Sequence, residues 1–159
     1  MTTTPAAGDP APDFSLPATG DQTLSLGDYA GQILVLYFYP KDSTPGCTQE
    51  GQEFRDLYPR FREAGADILG VSRDSVASHE RFRAKQAFPF HLLADTDETL
   101  CRAYDVIREK DMYGRKVMGI ERSTFVIDGR GIIRHALRKV RAKGHAEAVL
   151  QLVRELADD

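Results

Sequence analysis

Seven consecutive apolar residues, Ile33-Leu34-Val35-Leu36-Tyr37-Phe38-Tyr39, constrain this chain more than any other stretch. A run rich in β-branched and aromatic residues, with no polar alternation, reads as a strand buried on both faces. Such a strand needs a packed layer on each side of its sheet. Pro40 ends the run, because proline cannot donate to a sheet ladder. The run is the longest apolar stretch in the chain and falls far short of the roughly 20 residues a membrane helix requires.

The surrounding patterns supply both layers. Phe14-Ser15-Leu16 and Leu24-Ser25-Leu26 alternate around Gly20-Asp21, a small N-terminal hairpin. Beyond Pro40, Thr44 is placed to cap a helix with Pro45 at its first position. Phe54, Leu57, Tyr58 and Phe61 then form one apolar stripe, and Gly65 ends the helix. Next come a strand over Ile68-Val71, a polar helix from about Ser75 to Gln86, a strand over His91-Ala94 and a short helix from Asp97 to Tyr104. Tyr113-Gly114 and Asp128-Gly129 mark turns flanking further strands, of which Ser123-Ile127 is the strongest. Ala146, Val149, Leu150, Val153 and Leu156 line the last helix. Alternating strands and helices give an α/β fold, a central mixed β-sheet flanked by helices. The 159 residues fit one domain, with residues 1–8 expected as a loose arm.

Composition removes several function classes. Hydrophobic residues make up 42% and charged residues 28%, a globular balance. With 21 basic against 24 acidic residues, no broad electrostatic case exists for nucleic acid or an anionic membrane. The basic cluster Arg138-Lys139-Val140-Arg141-Ala142-Lys143 lacks interleaved aromatics and is expected to be a solvated face; Arg108-Glu109-Lys110-Asp111 is expected to be a surface loop. No secretion signal is legible, so the cytoplasm is the expected compartment. Four scattered histidines and two distant cysteines show no metal-ligand spacing, and neither metal nor cofactor is expected.

Cys47 is the residue in a special place. With Thr44 as cap it occupies the first helical turn, where unpaired N–H groups and the positive dipole end favour a thiolate. It shares a face with Phe54 and so points inward. The simpler reading is a small buried hydrophobe at a helix start. Position alone leaves both open.

The segment Pro40-Lys41-Asp42-Ser43-Thr44-Pro45-Gly46-Cys47-Thr48 resembles the peroxiredoxin active-site signature, and its Thr-Pro-Gly-Cys-Thr wording resembles the bacterioferritin-comigratory, or Q-type, subfamily. Asp13-Phe14-Ser15-Leu16, Gly70-Val71-Ser72-Arg73-Asp74 and Arg122-Ser123-Thr124-Phe125-Val126-Ile127-Asp128 are similar to further family segments in the same order. The resemblance implies a thioredoxin-like fold that reduces hydrogen peroxide and organic hydroperoxides without metal or haem. It implies Cys47 as nucleophile, Thr44 hydrogen-bonded to sulfur and peroxide, and Arg122 holding the thiolate. It further implies the Gly46 and Cys47 amides on the distal oxygen, Pro40 walling the pocket, and Glu50 orienting the arginine. Each has a plainer reading: a helix cap, a surface ion-pair partner, a strand terminator, a helix-dipole carboxylate.

Two departures bear on mechanism. Many Q-type relatives carry a resolving cysteine five residues after the nucleophile, where this chain has Gln52, or on the following helix, where Arg83 stands. Both usual routes to an internal disulfide are missing. A one-cysteine cycle follows, with rescue by an external thiol such as thioredoxin, glutaredoxin or glutathione, in a monomer or weak homodimer. Cys101, on the face of Tyr104, reads as structural filler; an atypical resolving role is the alternative. A peroxide-sensing module that forms mixed disulfides with partners is the rival to an enzyme.

Overall fold

The computed structural model describes residues 4–158. Its elements, in order, are β1 (Ser15–Ala18), β2 (Gln22–Ser25), a short 3₁₀ turn (Leu26–Tyr29), β3 (Ile33–Phe38), α1 (Pro45–Glu63), β4 (Ala66–Ser72), α2 (Val76–Gln86) and β5 (His91–Ala94). Then follow α3 (Thr99–Ala103), β6 (Ile107–Met112), β7 (Arg115–Ile120), β8 (Ser123–Ile127), β9 (Ile133–Leu137) and α4 (His145–Ala157). Seven strands form one sheet in the order β2-β1-β5-β4-β3-β8-β9, with β3, β4 and β5 parallel and β8 antiparallel to β3. The sheet is mixed and flanked by helices, as the alternating patterns predict.

The continuous apolar run is the middle of this sheet. All six residues of β3 are buried, and they alternate between two separate cores. Leu34, Leu36 and Phe38 pack with Phe125, Leu100, Tyr104 and the N-terminal segment on one face. Val35, Tyr37 and Tyr39 pack with Phe54 and Phe61 of α1, Phe82 of α2 and Val149 of α4 on the other. Truncating one of these fully buried phenylalanines to alanine would cost about 3–5 kcal/mol.

Three local expectations change. Arg108–Asp111 is not a loop but most of strand β6, paired with β7 across Tyr113-Gly114. Both turn residues take left-handed backbone angles, φ 54° and 80°, which is what a two-residue hairpin demands. The expected loose arm falls partly outside the described residues. Within it, the Gly8 amide donates to the Ile133 carbonyl and Arg138 donates to the Pro5 carbonyl, tying residues 4–8 to the body. The same Arg138 lies over the Phe125 ring at 5.0 Å, so the basic cluster contributes one packed side chain and is not wholly a solvated face.

Candidate active site

The site grows from the junction of β3 and α1. Pro40 stops the strand, and the loop that follows is clamped from beneath. Asp42 accepts hydrogen bonds from the Tyr39 hydroxyl at 2.6 Å and the Ser78 hydroxyl at 2.8 Å, and its amide donates to Asp74 at 2.9 Å. The ring nitrogens of fully buried His79 lie 2.7 Å from the Asp42 carboxylate and 2.8 Å from the Leu93 carbonyl. Asp42, Asp74 and His79 are the one clustering of metal-ligand residue types among the described residues. Hydrogen bonds within the protein engage them, and these bonds pin the loop to β4, β5 and α2. A histidine beside Phe82 on the inner face of an otherwise polar helix was the legible trace of this network.

Thr44 stands at the N-cap of α1 with an extended backbone (ψ 154°), and Pro45 takes the first helical position. Its hydroxyl does not cap a helix amide. It donates instead to the Lys41 carbonyl at 2.8 Å, leaving its lone pairs free to accept. Cys47 follows at the third helical position and is 2% exposed. The amides of the first turn have no intrahelical acceptor, so the sulfur lies where N–H groups and the positive end of the helix dipole converge.

Arg122 enters from the turn between β7 and β8. One guanidinium nitrogen donates to Glu50 Oε1 at 2.5 Å, and the other faces Cys47 Sγ at 3.6 Å. Glycine at position 46 eases this approach, since a Cβ there would lie 3.1 Å from Arg122 Nη2 and press on the guanidinium. Glu50 is fully buried one turn after Cys47. Its second oxygen, Oε2, has no hydrogen-bond partner. Burial pushes its pKa up to about 7 against the pull of Arg122. Arg122 itself loses solvation, but Glu50 and Cys47 hold its pKa above the ordinary value, so it stays a cation. Tyr37 closes the floor, its hydroxyl far above its usual pKa because of burial and the neighbouring Glu50 and Cys47.

The structure thus brings Gly46, Cys47, Glu50 and Arg122 together, with Thr44 heading the same helix and Pro40 at the start of its loop. Cys101 lies elsewhere. It is fully buried in α3, within the core on the opposite face of the sheet from Cys47. Its amide donates to Asp95 at 2.7 Å, and burial, followed by its hydrogen bond to Asp95, raises the thiol pKa far above the ordinary range.

Known proteins share this arrangement's frame. The chain matches the AhpC/TSA family over residues 7–136. It is 60% identical to the peroxiredoxin Bcp of Xanthomonas campestris over 144 residues, 89% of each chain. A structure concerned with alkyl peroxide reduction by the Xanthomonas campestris bacterioferritin comigratory protein superposes with a TM-score of 0.86 at 56% identity, covering 91% of this chain and 92% of that one. A cysteine-to-serine variant of Xylella fastidiosa PrxQ superposes with a TM-score of 0.93 at 48% identity, covering 98% and 99%. No helix among the described residues is long and apolar enough to cross a membrane. With a cysteine in the first turn of α1, an arginine facing it and this degree of kinship, the chain belongs to the AhpC/TSA family, in its bacterioferritin-comigratory, Q-type branch, and is a peroxidase of the peroxiredoxin kind.

Proposed function

We propose that the chain reduces hydrogen peroxide and organic hydroperoxides through Cys47 in a one-cysteine cycle completed by an external thiol. The Cys47 thiolate attacks one peroxide oxygen; an S–O bond forms, the O–O bond breaks, and the second oxygen leaves as water or alcohol after taking a proton. Sulfur is oxidised by two electrons to the sulfenic acid and the peroxide is reduced by two. Arg122 would stabilise the thiolate and the charge developing along the O–O axis. The Gly46 and Cys47 amides would take the leaving oxygen, Thr44 Oγ would accept the peroxide O–H, and Pro40 would shield the pocket. Glu50 would hold the guanidinium in place. One external thiol then condenses with the sulfenic acid, releasing water and forming a mixed disulfide, and a second thiol releases Cys47.

The observation that carries this reading is the guanidinium between Glu50 and the Cys47 sulfur. The one-cysteine form is supported by the sheet that separates Cys101 from Cys47 and by Gln52 and Arg83, which stand where relatives place resolving cysteines. Gln52 donates to Gln86 at 2.9 Å and Arg83 to the Phe90 carbonyl at 3.0 Å, so both positions carry structural hydrogen bonds. The alkyl peroxide activity of the Xanthomonas relative supports the same substrate class.

The test is intact mass after one equivalent of hydrogen peroxide, on reduced wild type, Cys47→Ser and Cys101→Ser. A gain of one oxygen that needs Cys47 and persists in Cys101→Ser is expected. Loss of two hydrogens requiring both cysteines, or a covalent dimer, overturns the one-cysteine cycle. No rapid change at Cys47 overturns peroxide reduction itself.

A further inference from the structure

Outside the residues already placed at the site, one cation sits where hairpin lysines do not usually go. Lys110 lies in β6 opposite Val117, and its side chain crosses the hairpin over Gly119. A Cβ at position 119 would sit 3.2 Å from Lys110 Cδ, so glycine there keeps the lysine's path open. The ammonium donates to the Ile120 carbonyl at 2.5 Å, two residues before Arg122. A lysine on a two-stranded hairpin ordinarily extends its charge into water. This one is half-buried. Burial and then the charge of Arg122 push its pKa down, while Cys47 and Glu121 pull the other way.

We propose that Lys110 is a positioning residue: its ammonium holds the Ile120 carbonyl and so fixes the Ile120-Glu121-Arg122 junction from which Arg122 reaches Glu50 and Cys47. The proposal rests on the reading of Cys47 as the peroxide-reactive sulfur. The junction is held at its other points by ordinary bonds. The Glu121 amide donates to the Val106 carbonyl at 2.7 Å, the Ser123 hydroxyl to the Glu121 carbonyl at 2.9 Å, and the Val140 amide to the Arg122 carbonyl at 3.0 Å. Ile120 ends β7 opposite Ile107 and is fully buried, and Lys110 adds the side-chain hold on its carbonyl just before the chain turns to Arg122. At 3.6 Å the guanidinium–sulfur contact is already long, so outward drift of the junction would weaken it.

The test uses the full chain and the rate at which hydrogen peroxide oxidises Cys47, followed by quenched-flow mass measurement, in Lys110→Met, Lys110→Arg and each combined with Arg122→Met. Lys110→Met is expected to slow oxidation about tenfold with the melting temperature within about 2 °C of wild type, and Lys110→Arg to recover most of the loss. In the Arg122→Met background, Lys110→Met is expected to change the rate by less than about twofold, because it acts through the missing arginine. A wild-type rate in Lys110→Met, a failed rescue by a folded Lys110→Arg, or a full tenfold loss repeated without Arg122 would each overturn the proposal. Should Lys110→Met lower the melting temperature further, Gly119→Ala displaces the lysine stem while keeping its charge. A loss of rate that Arg122→Met suppresses supports the proposal; an additive loss or none overturns it. If wild-type Cys47 itself takes up no oxygen, the parent reading has failed, which is a different result from a reactive wild type matched by Lys110→Met.

Discussion

Cys47 and Cys101 are both buried, 2% and 0% exposed, yet they sit in opposite chemical settings on opposite faces of one sheet. On the first face a guanidinium lies 3.6 Å from the sulfur and the helix begins two residues earlier. On the second, the neighbour is Asp95, a carboxylate, and the surroundings are Leu100, Tyr104 and Phe125. Burial alone raises a thiol's pKa; a fixed cation and unpaired amides oppose that. The difference teaches that exposure does not rank these thiols. Charge does.

The comparison breaks most easily on labelling. With a small electrophile such as methyl methanethiosulfonate under native conditions, Cys47 should react faster than Cys101 by on the order of 1,000-fold, the gap closing in denaturant. Mass-resolved time courses on Cys47→Ser and Cys101→Ser measure each rate singly. Comparable native rates would mean that the two faces are not chemically distinct.

Removing the cation should collapse part of that gap. Arg122→Met is expected to slow peroxide oxidation of Cys47 on the order of 100-fold while leaving Cys101 labelling unchanged. Arg122→Lys should recover little, because a compact ammonium on a flexible stem lacks the planar fork whose two nitrogens reach Glu50 and the sulfur separately. Oxidation of Arg122→Met at the wild-type rate would assign the reactivity to the helix terminus alone.

The two faces also differ in how their helices are locked. On the Cys47 face, α1 packs so closely that a Cβ at Gly51 would lie 2.3 Å from the Phe88 ring. Gly51→Ala should therefore destabilise the fold by about 1–3 kcal/mol, read from denaturant unfolding. The same packing predicts that α1 stays wound after oxidation. Limited proteolysis should show no new cleavage near Cys47 in peroxide-treated protein, and strong cleavage there would show that the helix opens.

How much of this was legible depends on distance along the chain. That Glu50 lies one helical turn after Cys47 could be read from spacing, but its hold on Arg122 came from the resemblance. Arg122 reaches the sulfur across 75 residues of sequence, so its place came from resemblance to a family and not from any local pattern. The charged strand β6 hid its period of two, because residues such as Glu109 and Asp111 face water where apolar alternation would otherwise show. The N-terminal arm reads as loose because Pro and Ala carry no local signal, while its anchor, Arg138, lies 133 residues away. That the two cysteines fall on different faces was likewise hidden: sidedness is set by how each helix crosses the sheet.

The smallest expected effect concerns pH. Glu50 and His145 both belong to the Cys47 side, where His145 meets Phe54 edge-on and lies 2.7 Å from the Thr124 hydroxyl. Burial, reinforced by Arg122, lowers the His145 pKa to about 4, whereas burial raises that of Glu50 to about 7. The signs oppose. Between pH 4 and 6.5 the unfolded chain binds more protons at His145 than the folded one does, so this group makes stability rise with pH across that window. Glu50 holds its proton in the fold from about pH 4.5 to 7 while the unfolded chain releases it, so its contribution falls as pH rises through the same range. The two should largely cancel in wild type, leaving a shallow profile to within about 1 kcal/mol. Glu50→Gln uncovers the histidine, so its stability should climb by about 2–3 kcal/mol from pH 4 to 6.5. Urea unfolding at intervals of half a pH unit resolves that slope: a shallow profile for Glu50→Gln would mean that His145 takes up its proton in the fold as readily as in the unfolded chain, and a wild-type profile as steep as the variant's would mean that Glu50 is already ionised beside Arg122.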